Sequence, residues 1–400
     1  MSRKSRAKPG VRRPTRKWTI AVYMVGGPEL GPSIGRDLLE LEGAGSSKDV
    51  KVVVADQTTP TSHSRWTEVR SRTGDGPAKR MPVGGSQRRT LDGKLQAFLE
   101  FVGKQYPARH FMVILWGHAS GLGFGGLTAG SAADQIRLRD LANVLAAFRR
   151  QRNGQKLEIL AFSACAVSKA EYALELRSEV DFLVASQIGI STLMTWPFDE
   201  IVELVLMSPS VEPASLARQM VQCYEEAYEP PPIAMTALDL RQSENIGTQV
   251  AQVSNAILTA IDRRGKLGLL NNMCVLRAFS EALDAHPWDV EPVVDFFDLC
   301  RKLVQQQHLE EPVRQQAREV LNQGFRSFVV HNARSGPKLG ALNGLSILAP
   351  DFDDPNWLDT YENTSTKAGS PDAYLWRQTP WALVTRKVYK FAASNKELFK

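Results

Sequence analysis

The chain has 400 residues, 43% of them hydrophobic and 23% charged, with a formal net charge of +6. That length buries a substantial core, as one enlarged domain or two closely packed ones, and no run reaches the roughly 18 consecutive apolar residues of a membrane span. Met1 to Lys17 carries eight Lys or Arg and no acid, so the remainder is close to neutral at about −2 and the basic balance belongs to a terminal arm, not to a cationic face.

That arm, residues 1–17, lacks the apolar centre of an export signal and is expected to be disordered and solubilising, with contact to nucleic acid or an acidic partner as the lesser expectation. Thr19 to Val25 reads as a first strand, followed by Gly26-Gly27-Pro28, a helix around Ile34 to Leu41, and a second strand from Val50 to Ala55. Gly74 to Gly85 reads as a Gly/Pro-rich loop and Leu91 to Val102 as a helix. Two apolar runs follow, Phe111 to Leu115 and Leu157 to Phe162, the second interrupted only by Glu158, with a crossover helix near Leu138 to Phe148. Runs without alternation mark strands covered on both faces, which is how parallel sheets read. Phe182 to Ala185 is another strand, Pro197 to Leu206 and Pro213 to Tyr228 are helices, and Ile233 to Leu240 returns to strand after three prolines.

From Glu244 to about Val330 the pattern is helical, in three or four amphipathic segments, and Leu342 to Ala349 is expected to rejoin the sheet. At the C-terminus Thr379 is an N-cap candidate and Pro380 a first helical residue, with Trp381, Val384, Val388 and Phe391 on one face. A basic amphipathic helix of this kind lies on a membrane or docks on its own core, and docking is the expectation. The division that results is a basic arm (1–17), a catalytic core (18–240), a helical subdomain (241–335), and a returning strand with a C-terminal helix (336–400).

The chemistry concentrates at two strand ends, Trp116-Gly117-His118 and Ser163-Ala164-Cys165. In open α/β sheets the reactive groups lie just beyond the carboxyl ends of the strands, so His118 and Cys165 on neighbouring strands face one crevice as a cysteine nucleophile with its base. Beyond Cys165, Val167, Ala170, Ala173 and Leu174 form an apolar helical face with Lys169 and Glu171 opposite, which predicts the thiol at a helix N-terminus that activates it. The other cysteines, Cys223, Cys274 and Cys300, sit in helical patterns as small buried hydrophobes, no CxxC pair occurs, and a reducing cytoplasm is the expected home. No His or Cys grouping has zinc spacing, and neither metal nor cofactor is expected. Gly121, Gly123 and Gly126 match a dinucleotide fingerprint in spacing, but no helix opens directly after them, so they read as a mobile loop beside the crevice.

On these residues the chain resembles the clostripain-type cysteine peptidases, within the caspase-like group that includes legumains, gingipains, separases and metacaspases. The similarity runs through Trp18 to Met24, Ile114-Leu115-Trp116-Gly117-His118, Ile159 to Cys165, Tyr172 to Leu176, Phe182 to Ser186, Trp196-Pro197-Phe198-Asp199 and Gly344-Leu345-Ser346-Ile347, in order, over roughly residues 18 to 350. It implies a three-layer caspase-like α/β fold with a mainly parallel central sheet and a helical insertion. It also implies endopeptidase chemistry on a protein or peptide substrate through a thioester acyl-enzyme. Cys165 is then the nucleophile and His118 the proton donor to the leaving amine. The oxyanion is held by the backbone N–H groups of Ala119 and Cys165, Ser163, Ser186 and Gln187 line the substrate side, and an activating partner protein is a further expectation. A third orienting carboxylate is not required.

Two departures bear on that reading. The residue after the His is usually Gly and here is Ala119, and the Asp usual two residues before the nucleophile is Ser163. That Asp helps form an acidic pocket for Arg or Lys, and no acid occurs from Gln187 to Trp196, so basic specificity does not carry over unless an acid reaches in from elsewhere, for instance from the helical region after Glu244. The Ser-Ala-Cys sequence also resembles the CHAT peptidases. A catalytically silent interaction module on the same fold is the competing function, against which stands the joint presence of His118 and Cys165 at the two strand ends.

Overall fold

A computed structural model describes residues 16–57, 64–72, 76–126, 135–192, 195–228, 232–287, 292–337, 339–357, 375 and 379–395. The expectation for the basic arm lies outside these residues apart from its last two, which begin the first strand.

In chain order the elements are β1 (Arg16–Val25), α1 (Gly31–Ala44), β2 (Val50–Gln57), β3 (Ser64–Val69), β4 (Arg80–Ser86), α2 (Leu91–Gln105) and β5 (Ala108–Trp116), then the short strands β6 (Ala119–Ser120), β7 (Gly123–Phe124) and β8 (Ile136–Arg137). There follow α3 (Leu138–Gln151), β9 (Leu157–Ser163), α4 (Ala170–Leu176), β10 (Val180–Ser186), α5 (Phe198–Met207), α6 (Pro213–Tyr228), β11 (Ile233–Asp239), α7 (Ser243–Ile261) and α8 (Gly265–Asp284). The last are β12 (Val293–Asp295), α9 (Phe296–Gln305), α10 (Glu311–Glu319), α11 (Phe325–Phe328), β13 (Val329–Ser335), β14 (Ser346–Leu348) and a C-terminal helix (Trp381–Ser394).

One nine-stranded sheet runs β13-β11-β10-β9-β5-β1-β2-β3-β4. Its five central strands are parallel, and each flank is antiparallel. Alternation within each central strand splits the core in two. Ala21, Tyr23 and Val25 of β1 pack with α2, α3, α4 and the helices from α7 onward, while Trp18, Ile20, Val22 and Met24 pack with α1, α5 and α6. The result is helices on both faces of a mainly parallel sheet, as expected for the fold class.

Three expectations are corrected. The Gly74 to Gly85 loop contains strand β4, which pairs with β3 to extend the sheet beyond β2. A strand holding Pro82, Gly84 and Gly85 survives because it is the sheet edge, and at Gly84 a Cβ would lie 2.8 Å from Cε3 of Trp66, so only glycine lets that indole lie against the strand. Leu342 to Ala349 does not rejoin the main sheet, since β14 pairs with β12 in a separate two-stranded ribbon. The edge position belongs instead to β13, which begins where the helical pattern ends and lies within the division 241–335.

The C-terminal helix docks as expected. Trp381 stacks on Phe279 with centroids 5.7 Å apart, lies edge-on to Phe296 at 6.3 Å, and donates its indole N–H to Leu348 O at 2.8 Å. Thr379 Oγ1 accepts the Trp381 N–H, and Lys387 pairs with Asp262. Among the described residues no helix is long and apolar enough to cross a membrane.

Candidate active site

Parallel pairing aligns the carboxyl ends of β10, β9, β5 and β1, in that spatial order. Trp116 of β5 is opposite Ser163 of β9 and also opposite Met24 of β1. The segments that leave these ends therefore emerge side by side, carrying Ile190, Cys165, His118 and Glu29 respectively. His118 follows a forced backbone turn at Gly117, whose φ is +150° and whose Cβ, if present, would lie 2.3 Å from Val25 O. The Gly117 N–H also continues the ladder to Ser163 O at 3.1 Å. Beyond it, Ala119 and Phe124 pair in a small three-stranded sheet, β6-β7-β8, with the Gly125 N–H on His118 O at 2.8 Å. Part of the Gly-rich stretch expected to be a mobile loop is this sheet, and residues 127–134 lie outside the description. Among the described non-glycine residues only Asn153 and Ala166 have positive φ, so Ala119 holds a backbone shape open to any L-residue and its departure from Gly carries no strain there.

The helix predicted to begin at Cys165 does not. Helix α4 starts at Ala170 and has seven residues, which removes the helix N-terminus as the source of thiol activation. The intervening N–H groups are already taken: Ala166 donates to Ile188 O and Ser168 to Ser186 O, each at 2.9 Å, extending the β10 pairing past the end of β9. Cys165 thus sits at a kink, and the next residue, Ala166, is forced to φ +48°, a conformation that alanine adopts only where its surroundings impose it. Lys169 and Glu171, read as the face opposite the apolar positions, are buried as well. Lys169 Nζ donates to Gly121 O at 2.9 Å, tying this kink to the hairpin after His118, and Glu171 Oε1 accepts the Leu348 N–H at 3.2 Å.

Cys165 Sγ accepts the Ile190 N–H at 3.3 Å and faces Ile190 O at 3.7 Å. His118 Nε2 lies 3.2 Å from Glu29 Oε1. Among the described residues the thiol and the imidazole are brought to adjacent strand ends without a hydrogen bond between them. All four cysteines are unpaired, and they differ in environment. Burial pushes the Cys223 thiol up to about 11, aided by Glu200 and Glu226, and pushes Cys274 and Cys300 up as well.

The expected substrate-side residues separate. Ser163 Oγ is buried without a hydrogen-bond partner. Ser186 Oγ, also buried, accepts the Ile188 N–H at 3.1 Å. Gln187 is 1% exposed, and its amide is fully engaged inside the protein: Nε2 donates to Asp295 Oδ2 at 2.9 Å and to Ser346 Oγ at 3.0 Å, and Oε1 accepts the Gly344 N–H at 2.6 Å. Gln187 therefore braces the segment and does not face the crevice, a correction to its substrate-binding assignment. Asp295, an acid from the region after Glu244 that contacts this segment, is committed to the brace: its carboxyl accepts from Gln187, Asn343 and Asp298.

At its other end the same segment is held by α1. Asp37 accepts the Thr195 hydroxyl at 2.7 Å and the Trp116 indole N–H at 2.7 Å, while Arg36 donates to Thr192 O at 2.8 Å and to Thr195 Oγ1 at 2.9 Å. Nearby, burial raises the Glu40 carboxyl to about 7, and its Oε2 accepts the Phe198 N–H. Among the described residues no three His, Cys, Asp or Glu are grouped as a metal site requires.

The model of the clostripain family matches residues 22–372, so the chain belongs to that family of cysteine peptidases. Among solved structures it is similar in fold to a secreted C11 cysteine protease from Bacteroides thetaiotaomicron, iotapain, at 17% identity over 92% of this chain and 99% of that chain, with a TM-score of 0.68. It is also similar to an inactive zymogen C11 protease from Parabacteroides distasonis at 14% identity, with the same shares and a TM-score of 0.65. A third is the B. thetaiotaomicron secreted protease in complex with an irreversible peptide inhibitor, at 14% identity, again with these shares and a TM-score of 0.63. No curated protein matches the sequence.

Proposed function

We propose that this cysteine peptidase of the clostripain family is an endopeptidase in which Cys165 and His118 form the catalytic dyad. The observation that carries the proposal is the alignment of four parallel strand ends, which brings a half-buried thiol and an imidazole out side by side while the other three thiols are suppressed by burial. In the reaction the Cys165 sulfur adds as thiolate to the scissile carbonyl carbon, and the oxyanion is received by the N–H groups of Cys165 and Ala119. His118 gives a proton to the departing amine as the C–N bond breaks, leaving a thioester. Water, losing a proton to the now neutral His118, attacks the thioester, and the acid product and free thiol are restored. The N–H of Ile190 meets negative charge on sulfur during this cycle.

Ser163 stands where an acid would and carries no charge, its hydroxyl being buried, and Asp37 and Asp295, buried acids bonded to the Gln187 to Trp196 segment, are both spent on internal donors. A cationic side chain buried without a partner costs several kcal/mol, so a neutral residue is expected before the cleaved bond. The unpaired thiols are in keeping with a reducing cytoplasm as the working compartment. Incubation with a proteome-derived peptide library tests the reading. Wild type is expected to cut after neutral residues and Cys165→Ala to cut nothing. An unchanged product set from Cys165→Ala overturns the nucleophile, and efficient Cys165-dependent cleavage after Arg or Lys overturns the pocket.

A further inference from the structure

We infer that Glu29 is the positioning residue for His118, making the dyad a Cys165–His118–Glu29 triad drawn from three adjacent parallel strand ends. The inference rests on the dyad assigned above and adds to it a carboxylate that the family resemblance does not call for.

Glu29 lies in the short 3-10 turn Pro28–Leu30 that follows β1 through Gly26 and Gly27. Because β1 pairs with β5 in parallel up to Met24 and Trp116, the residues leaving these two strands rise from the same edge. The Glu29 carboxylate meets the imidazole there, with Oε1 3.2 Å from Nε2. The turn is fixed to the sheet: the Gly26 N–H donates to Gln57 O at 3.2 Å, and Leu30 is buried in the core under α1. The carboxylate therefore reaches His118 from a short turn anchored at both sides. With Nε2 directed at Glu29, Nδ1 is left as the ring nitrogen that exchanges protons with sulfur and with the leaving amine.

The chemical consequence follows from the two tautomers. A carboxylate at Nε2 keeps a proton on that nitrogen in both the neutral and the cationic ring. The neutral ring then presents the Nδ1 lone pair, which takes the thiol proton. The cationic ring presents Nδ1–H, which is given to the amine nitrogen as the C–N bond breaks, while the Nε2 proton stays in place facing Glu29. No atom leaves Glu29, so it acts through His118 by orientation and by charge. The other charged or titratable groups around this edge are engaged elsewhere. Cys165, on the loop after β9, is bonded to Ile190. Lys169 on the same loop reaches Gly121 O, Asp37 on α1 is held by Trp116 and Thr195, and Asp56 near the end of β2 faces Arg65 and Arg80.

The test compares wild type, Glu29→Gln and Glu29→Ala in two measurements. Peptidase kcat/KM is expected to fall about 10-fold for Glu29→Gln near pH 7.5, through kcat with KM little changed. The second measurement, ¹⁵N–¹H NMR of the His118 ring, requires no turnover. It is expected to show the Nε2–H tautomer in wild type, and a larger share of Nδ1–H in both variants. If the chain proves to have no peptidase activity, the ring spectra still decide the Glu29 contact. A kcat/KM and a tautomer balance unchanged by Glu29→Gln would reduce the pair to a surface contact and overturn the inference. A gain of activity in either variant would overturn it the other way, by showing that Glu29 holds the ring off the thiol.

Discussion

The segment from Gln187 to Trp196, which carries the backbone that contacts Cys165, is held at each end by a buried aspartate, and the two ends are built differently. At the near end Asp295 accepts four N–H donors: Gln187 Nε2 and Asn343 N on one oxygen, Asn343 Nδ2 and Asp298 N on the other. At the far end Asp37 accepts a hydroxyl and an indole, and Arg36 adds its charge. Burial pushes both carboxyls up. The difference lies in what their partners can do if the carboxylate changes. The Thr195 hydroxyl can reverse and accept. The partners of Asp295 cannot, because two are backbone N–H groups and the Gln187 amide is pinned in orientation by Gly344 N–H on its Oε1. Four donors leave no acceptor for a carboxyl proton, so the geometry calls for the ionised form even though desolvation opposes it. One end of the segment is therefore rigid, and the other adaptable.

Removing Asp295 is the largest expected effect. Asp295→Ala strands four buried donors, and a cost of about 3–5 kcal/mol is expected in denaturant unfolding. The same change removes one of the three hydrogen bonds that hold Gln187, so any variant protein that still folds is expected to lose part of its peptidase activity through misplacement of Ile190 against Cys165. A loss under 1 kcal/mol would show that the donors find water and that the near end is not rigid.

This brace could not be read from the sequence, and the reason is physical. His118 and Cys165 are legible because apolar runs without alternation announce buried parallel strands, and a reactive residue just past such a run has few other places to be. Asp295 and Gln187 are 108 positions apart, and nothing local to either distinguishes a buried acceptor from a solvated one. Glu29 follows Gly-Gly-Pro, which signals a turn but not which strand end the turn faces. Lys169 and Glu171 read as the face opposite the apolar positions, whereas their burial depends on Gly121 and on Leu348 from distant parts of the chain. Strand β13 was missed because Val329–Ser335 is only partly buried at a sheet edge and lacks the alternation that marks strands.

Asp37→Asn probes the adaptable end and is expected to cost less, about 1 kcal/mol. The new amide donates to Thr195 Oγ1, and its oxygen still accepts from Trp116 Nε1. Unfolding in urea with and without Thr195→Val gives the coupling. If Asp37→Asn matches the loss at Asp295, the far end is as rigid as the near one and the contrast fails.

The smallest effect separates the ends by pH. Glu40, beside Asp37, has its carboxyl raised to about 7, chiefly by burial, against the lowering influence of the Phe198 N–H, with Asp37 and Asp199 adding to the rise. Its unfolded value is near 4.5, so between these limits the folded chain binds the extra proton. The stability this group contributes is fully present below about pH 4.5 and is lost as pH rises through about 7. Glu40→Gln keeps an oxygen for Phe198 N–H and cannot ionise. It is expected to match wild type at pH 4.5 and to exceed it by about 1 kcal/mol at pH 8, after allowance for solvent screening of a half-buried group, a melting shift of roughly 1–2 °C in a chain of this size. Glu40 is thus the group through which pH is expected to reach the adaptable end. A stability difference between Glu40→Gln and wild type that stays flat from pH 4.5 to 8 would place Glu40 in solvent and remove the pH dependence from the adaptable end.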